Sequence, residues 1–279
     1  MTDDFQVVKT KRSRKVKSRG GCTGACPEAV TQSFQEIDIT RTLQKITESR
    51  NDLTSSEFYT LVTDLITKVL HSEGDDKDTK IPRSEVICYG LGNFSECIIA
   101  RYQLCLLMAL REHLKIVASD CHLYDPKFRA GEIDILSEMG FRVIDKNEEG
   151  KRPCAVDTKT LFYMPHCGKS LCNNLLWANW DRQRLANMVV IGNSFSSILD
   201  NTPGRLLEET GGYIQRLHPY CTEVPLPTTF KFTDIFNDTS IHSFPANKLQ
   251  NAPEELWDSP SEPHYEDDDV EFISNKLPT

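Results

Sequence analysis

Val86-Ile-Cys-Tyr-Gly90-Leu-Gly92-Asn-Phe-Ser95 is the stretch on which the fold turns. Its first half is a short, unbroken apolar run of the kind expected for a strand covered on both faces, and the two glycines then end it. A helical pattern follows from about Glu96 to Leu114, with Ile98, Ile99, Tyr102, Leu106 and Leu110 on a wide apolar surface. Strand, glycine turn and helix in that order are the opening unit of a parallel α/β sheet.

Downstream the pattern recurs. A strand ends at Leu123-Tyr-Asp125, a helix runs from about Gly131 to Glu138, and a strand covers Phe141-Arg-Val-Ile144. Thr160-Leu-Phe-Tyr-Met164 and Met188-Val-Val-Ile191 read as two further strands, with a helix through Leu171 to Trp180 between them. Such alternation predicts a Rossmann-like, doubly wound, mainly parallel α/β sheet of about five strands, for which 3-2-1-4-5 is the common order. Arg205 to Gln215 reads as a helix ending near Gly211-Gly212, and Glu223-Val-Pro-Leu-Pro227 as an extended segment.

Upstream, Phe58, Leu61, Val62, Leu65, Ile66, Val69 and Leu70 predict an amphipathic N-terminal helix over Thr54 to Leu70, with Thr54 and Glu57 as its capping box. His71 to Lys80 is polar and reads as a linker ending at Pro82. The expected organisation is a disordered basic tail over 1–27, a helical segment and linker over 28–83, the main domain over 84–250 and a disordered acidic tail over 251–279.

The 39% apolar share is ample for a core. No window reaches the roughly 18 apolar residues of a membrane span, and Met1-Thr2-Asp3-Asp4 carries no signal-peptide core, so a cytoplasmic protein is expected. The ten cysteines are scattered through apolar runs, as reduced core residues would be. The net charge of −9 conceals opposite ends: seven Lys/Arg in residues 1–27 and nine Asp/Glu in residues 254–279. The acidic body argues against a nucleic-acid-binding face. The basic run Lys9 to Arg19 reads either as solvated tail or as a nuclear-import signal.

Gly90 and Gly92, with Asn93 and Ser95 behind them, stand where a nucleotide-binding sheet places its glycine turn, though the third glycine of the full motif is missing. Asp125 closes the second strand, where an acid grips ribose hydroxyls; it serves equally to cap the Pro126 turn. With the order 3-2-1-4-5, the loop Pro165-His166-Cys167-Gly168 faces the glycine turn at the switch point, so His166 and Cys167 become candidate ligand-lining or acid–base residues. Gly192-Asn193-Ser194 repeats the Gly-Asn turn, which makes Asn193 a further candidate. Cys22-x3-Cys26 and Cys167-x4-Cys172 lack the second ligand pair of a structural zinc. Cys26-Pro27 has the form of a haem thiolate motif, so Cys26, His166 and Cys167 are weak candidates for a haem axial ligand.

Seven blocks carry a family resemblance: Cys88-Tyr-Gly-Leu-Gly-Asn-Phe-Ser95, Tyr124-Asp-Pro126, Asn147-Glu-Glu-Gly-Lys151, Thr160-Leu-Phe-Tyr-Met-Pro-His-Cys167, Asn174-Leu-Leu-Trp-Ala-Asn179, Val190-Ile-Gly-Asn-Ser-Phe195 and Phe236-Asn-Asp-Thr-Ser-Ile-His242. In order over residues 84–245, they resemble the sensitivity-to-red-light-reduced (SRR-like) proteins of plants, fungi and animals. The resemblance implies a regulatory role in circadian clock gene expression and, in animal and fungal branches, in haem biosynthesis; it brings no catalytic mechanism. It leaves two readings open. One is a regulatory protein that binds a ligand, haem or a nucleoside, or protein partners through this domain. The other is an undescribed nucleotide- or S-adenosylmethionine-dependent, methyltransferase-like enzyme.

Overall fold

The structure, a computed structural model, describes residues 36–70, 83–258 and 260–266. The expectations for the basic tail with Cys22 and Cys26, for the linker and for the last residues of the acidic tail lie outside these.

Alternation along the apolar runs sorts the core into two halves. Val86, Cys88, Leu161, Tyr163, Val189 and Ile191 pack on one face of the sheet, while Ile87, Tyr89, Phe162, Met164, Met188 and Val190 pack on the other. A period of two places neighbours on opposite faces, so a run apolar at every position needs cover on both. The strands are β1 (Arg83–Tyr89), β2 (Cys121–Tyr124), β3 (Arg142–Val143), β4 (Thr158–Met164), β5 (Met188–Asn193), β6 (Thr222–Pro225) and β7 (Thr239–Ser243). They form one seven-stranded sheet in the order β3-β2-β1-β4-β5-β7-β6. The first five are parallel, with Val86 paired to Leu161 and to Cys121, which meets the expected order. β7 runs antiparallel between β5 and β6, so the sheet is larger than the five strands expected.

β7 reads as polar, Thr-Ser-Ile-His-Ser, yet Thr239, Ser240 and His242 are buried. Pairing on both sides satisfies its backbone, and His242 finds partners of its own: Nδ1 lies 3.2 Å from the Val190 carbonyl and Nε2 accepts from the Phe195 amide at 3.3 Å.

One face is covered by α1 (Ile39–Thr54), α2 (Glu57–Leu70) and α3 (Ile98–His113). α1 was not expected from the sequence. Asp38 starts it, accepting the Arg41 amide at 2.9 Å. The expected capping box at Thr54 is not formed, because Thr54 is the last residue of α1 and its hydroxyl donates back to the Arg50 carbonyl at 2.9 Å. Ser56 caps α2 instead, accepting the Tyr59 amide at 3.2 Å. Phe58 of α2 then stacks on Phe236 with ring centroids 4.7 Å apart.

The other face carries α5 (Lys169–Ala178) and α8 (Gly204–Leu217). α8 passes through the Gly211-Gly212 pair with non-helical backbone at Gly211 instead of ending there, and the Tyr213 amide donates to Asn173 Oδ1 at 2.7 Å. Short helices α4 (Ala130–Glu138), α6 (Arg182–Ala186), α7 (Phe195–Asn201) and α9 (Ala246–Gln250) complete the connections.

Within the stretch expected to be disordered from 251 onward, residues 251–258 and 260–266 are described and several side chains make contacts. Arg182 holds Glu254 through two bonds of 2.8 and 3.1 Å, and its guanidinium lies 4.9 Å over Trp257. Aromatic anchors among the acids fix a segment that average composition marks as unstructured. No helix among the described residues is long and apolar enough to cross a membrane.

Candidate functional site

The carboxyl ends of β1, β2 and β4 open onto a cleft of about 280 Å³. Gly90, Gly92, Asp125, His166 and Cys167 all line it. Gly90 and Gly92 sit at φ of 71° and 79°, a left-handed backbone that glycine adopts without steric penalty. At Gly90 space is a second reason: a Cβ there would collide with the Cys167 sulfur.

Asp125 ties the two strand ends together. Its Oδ2 accepts the Gly92 amide and its Oδ1 the Lys127 amide, each at 2.7 Å. It caps its own turn, as one of the two readings has it, and each carboxylate oxygen keeps a second lone pair. Asn93, Ser95 and Asn193 lie behind the cleft. Asn93 Oδ1 accepts from the Ser95 hydroxyl at 2.7 Å, and the Ser95 amide donates at 2.8 Å to Glu132, which is fully buried. Asn193 Nδ2 donates to the Cys167 carbonyl at 2.9 Å, holding the β4 loop from the β5 side.

His166 and Cys167 diverge. Cys167 points inward, its thiol donating to the Tyr89 carbonyl at 3.3 Å, and burial, with Cys172, Cys88 and Asp125 adding to it, pushes its pKa well up. It is a neutral, packed thiol rather than a thiolate. His166 is exposed at the rim with φ 53°, a strained conformation for a side chain of its size. The two therefore form no nucleophile–base pair.

The rest of the lining includes residues not named as site candidates: Tyr89, Tyr124, Lys127, Asn147, Gly150 and Leu171. Tyr89 donates to Glu148, which also accepts from Arg152 at 3.0 Å. Burial and this bond raise the Tyr89 phenol far above its ordinary value, so it is a neutral donor. Tyr124 and Asn147 each begin one of the blocks that carry the family resemblance, and that was the signal available. The start of α5 at Gly168 has no side-chain cap and reaches the cleft, which favours a negative group there.

A glycine backbone, one carboxylate, two tyrosines, a helix start and the exposed Lys127 and His166 suit a small polar ligand. A porphyrin does not fit this set. The Cys167 sulfur is taken up by packing, and a volume of about 280 Å³ sits at the lower end for drug-sized ligands.

The SRR1 domain matches residues 40–243, from the first turn of α1 to the end of β7, so the whole cleft lies inside it. The mouse SRR1-like protein is 30% identical over 239 residues, covering 77% of this chain and 94% of its own length. The Drosophila melanogaster SRR1-like protein is 30% identical over 264 residues, covering 91% and 87%. The Arabidopsis thaliana protein Sensitivity to Red Light Reduced 1 is 32% identical over 208 residues, covering 69% and 72%. No solved structure matches the chain. A cleft built from the glycine turn, the Tyr-Asp-Pro strand end and the Pro-His-Cys loop, inside a match of this extent, makes the chain a member of the SRR1 domain family.

Proposed function

We propose that the protein is regulatory, acting on haem biosynthesis and on core clock gene expression through a Rossmann-like domain that binds a small ligand or a protein partner. One observation supports this reading: the cleft at the switch point of the sheet is lined largely by polar groups, yet its one thiol is neutral and buried. The name of the Arabidopsis relative ties that protein to a light response, which supports signalling over bulk metabolism. Haem would then be the regulated product, not a resident group. The test is deletion in cells, scored by haem content and clock-gene rhythm, with rescue by the wild-type chain and by Gly92→Val. Loss of both phenotypes on rescue by wild type alone supports the reading. Unchanged haem and rhythm after deletion would overturn it.

A second reading is favoured by the placement of Gly90, Gly92 and Asp125, with Asn147 beyond β3 and in reach of the same cleft. That layout suits a nucleoside, with Asp125 on the ribose, and so a nucleotide- or S-adenosylmethionine-dependent enzyme. Calorimetric titration with adenosine and with S-adenosylmethionine separates the two. Binding that Asp125→Asn abolishes, in protein that still melts cooperatively, favours the enzyme; no heat from either compound favours the partner-binding regulator.

A further inference from the structure

The chain segment Pro260–Glu266 lies across α5 and α8, beside the cleft. Most of its residues are exposed, and Tyr265 is its main anchor. The Tyr265 hydroxyl is 2.8 Å from Asn174 Oδ1 and 3.1 Å from the Ser170 carbonyl, and it accepts from Asn173 Nδ2 at 3.1 Å. Nearby, Tyr213 donates to the Ser261 carbonyl at 2.6 Å and the Trp177 indole to the Pro260 carbonyl at 3.4 Å.

Two of these contacts continue into the loop that forms the outer wall of the cleft. Asn174 is fully buried; it receives Tyr265 on its carbonyl side and donates from Nδ2 to the Glu149 carbonyl at 2.8 Å. Lys151 bridges Glu149 and Glu262, each at 2.8 Å. Between these two ties sits Gly150, at φ 74° and so close to α5 that a Cβ would stand 2.7 Å from the Leu171 carbonyl. Asn147, Gly150 and Leu171 are themselves cleft walls. Removing Tyr265 leaves the buried amides of Asn173 and Asn174 each short of a partner, and Asn174 is then free to turn away from Glu149.

We propose that Pro260–Glu266 is a displaceable strap that locks residues 147–151 against α5 through Tyr265 and Glu262. Docking of the strap and occupation of the cleft then favour each other, since linkage is reciprocal; this last step rests on the reading of the cleft as a ligand site. A mostly exposed segment with one main side-chain anchor opens at lower free energy than the core, which suits a control element.

Amide hydrogen exchange on the full chain, free of any ligand, tests the lock. In Tyr265→Ala, residues 147–151 and 260–266 should both exchange at least about tenfold faster than wild type, as expected when local opening becomes easier, with residues 90–95 unchanged. Glu262→Gln should speed 147–151 less. If Tyr265→Ala loses protection in β4, and so its fold, Tyr265→Phe decides the matter, because it keeps the ring and deletes only the hydroxyl. Wild-type exchange in 147–151 alongside a freely exchanging strap overturns the proposal. Because no ligand enters this experiment, a cleft that binds no nucleoside would count against the function proposed above and leave the strap standing.

Discussion

The cleft and the β5–β7–β6 edge of the sheet carry similar chemistry and use it in opposite ways. At the edge, Glu223 of β6 accepts from the Ser196 amide at 3.0 Å and from its hydroxyl at 2.8 Å. His218 Nε2 sits 3.0 Å from the same hydroxyl, and His242 Nε2 lies 3.7 Å from Glu223 Oε1. Serine, histidine and carboxylate meet as they would in a hydrolase, but both Ser196 donors converge on one carboxylate oxygen, the arrangement of a helix cap. In the cleft the acid is also hydrogen-bonded, yet His166, Lys127 and the start of α5 remain turned outward. A cluster of titratable groups thus marks a site only where some of its polar atoms are left to solvent.

The largest effect should come from the edge. Glu223→Ala strands the Ser196 donors and is expected to lower unfolding free energy by about 2–3 kcal/mol in a denaturant titration. An effect as small as a surface substitution would break the comparison. Gly90→Ala in the cleft should come next, at about 1–3 kcal/mol, because it forces a side chain into left-handed backbone against Cys167. Its partner measurement is the rate of Cys167 alkylation, which should rise as the sulfur is displaced.

Acid should sharpen the contrast further. Burial opposes ionisation of Glu223, but the neighbouring His242 ring and the hydrogen bonds from Ser194 and Ser196 outweigh it and hold the carboxyl far below its usual range. A depressed folded value means stability that is present above the unfolded carboxyl value of about 4.3 and is lost as pH falls below it. The stability gap between wild type and Glu223→Gln should therefore be flat from pH 5 to 7 and shrink on acidification; a gap that widens toward acid contradicts this. The smallest effect is expected at His166. His166→Gly removes an exposed ring and relieves a left-handed φ, so stability should stay within about 0.5 kcal/mol of wild type while ligand response in the cleft is lost. A cost equal to that of Glu223→Ala would show that the cleft holds the fold together just as the edge does.

What was legible in the sequence follows the same physics. β1, β4 and β5 each carry an unbroken apolar run of four residues because both faces are covered there, and a run like Val86-Ile-Cys-Tyr announces itself. β7 does not, since its Thr, Ser and His are buried between β5 and β6, with His242 partnered by Val190 of β5 and Phe195 of α7, which no local pattern reveals. α1 did carry a signal, Asp38 as cap and Ile46 and Leu53 seven residues apart on its buried face, but a short polar-rich pattern of that kind is easily missed. At the cleft, Gly90, Gly92 and Asp125 were readable because turns demand particular residues. Asn147 and Gly150 stood out only through the resemblance block that contains them, because the long connection from β3 to β4 has no period to read.

The two outer strands of the sheet have a consequence for how this protein meets others. β3 is two residues long, and β6 ends in Pro225, which has no amide proton to offer. Short or proline-bearing borders deny a foreign chain the row of free donors and acceptors it needs in order to add itself as another strand. Both borders of the described sheet are therefore poor templates for templated aggregation.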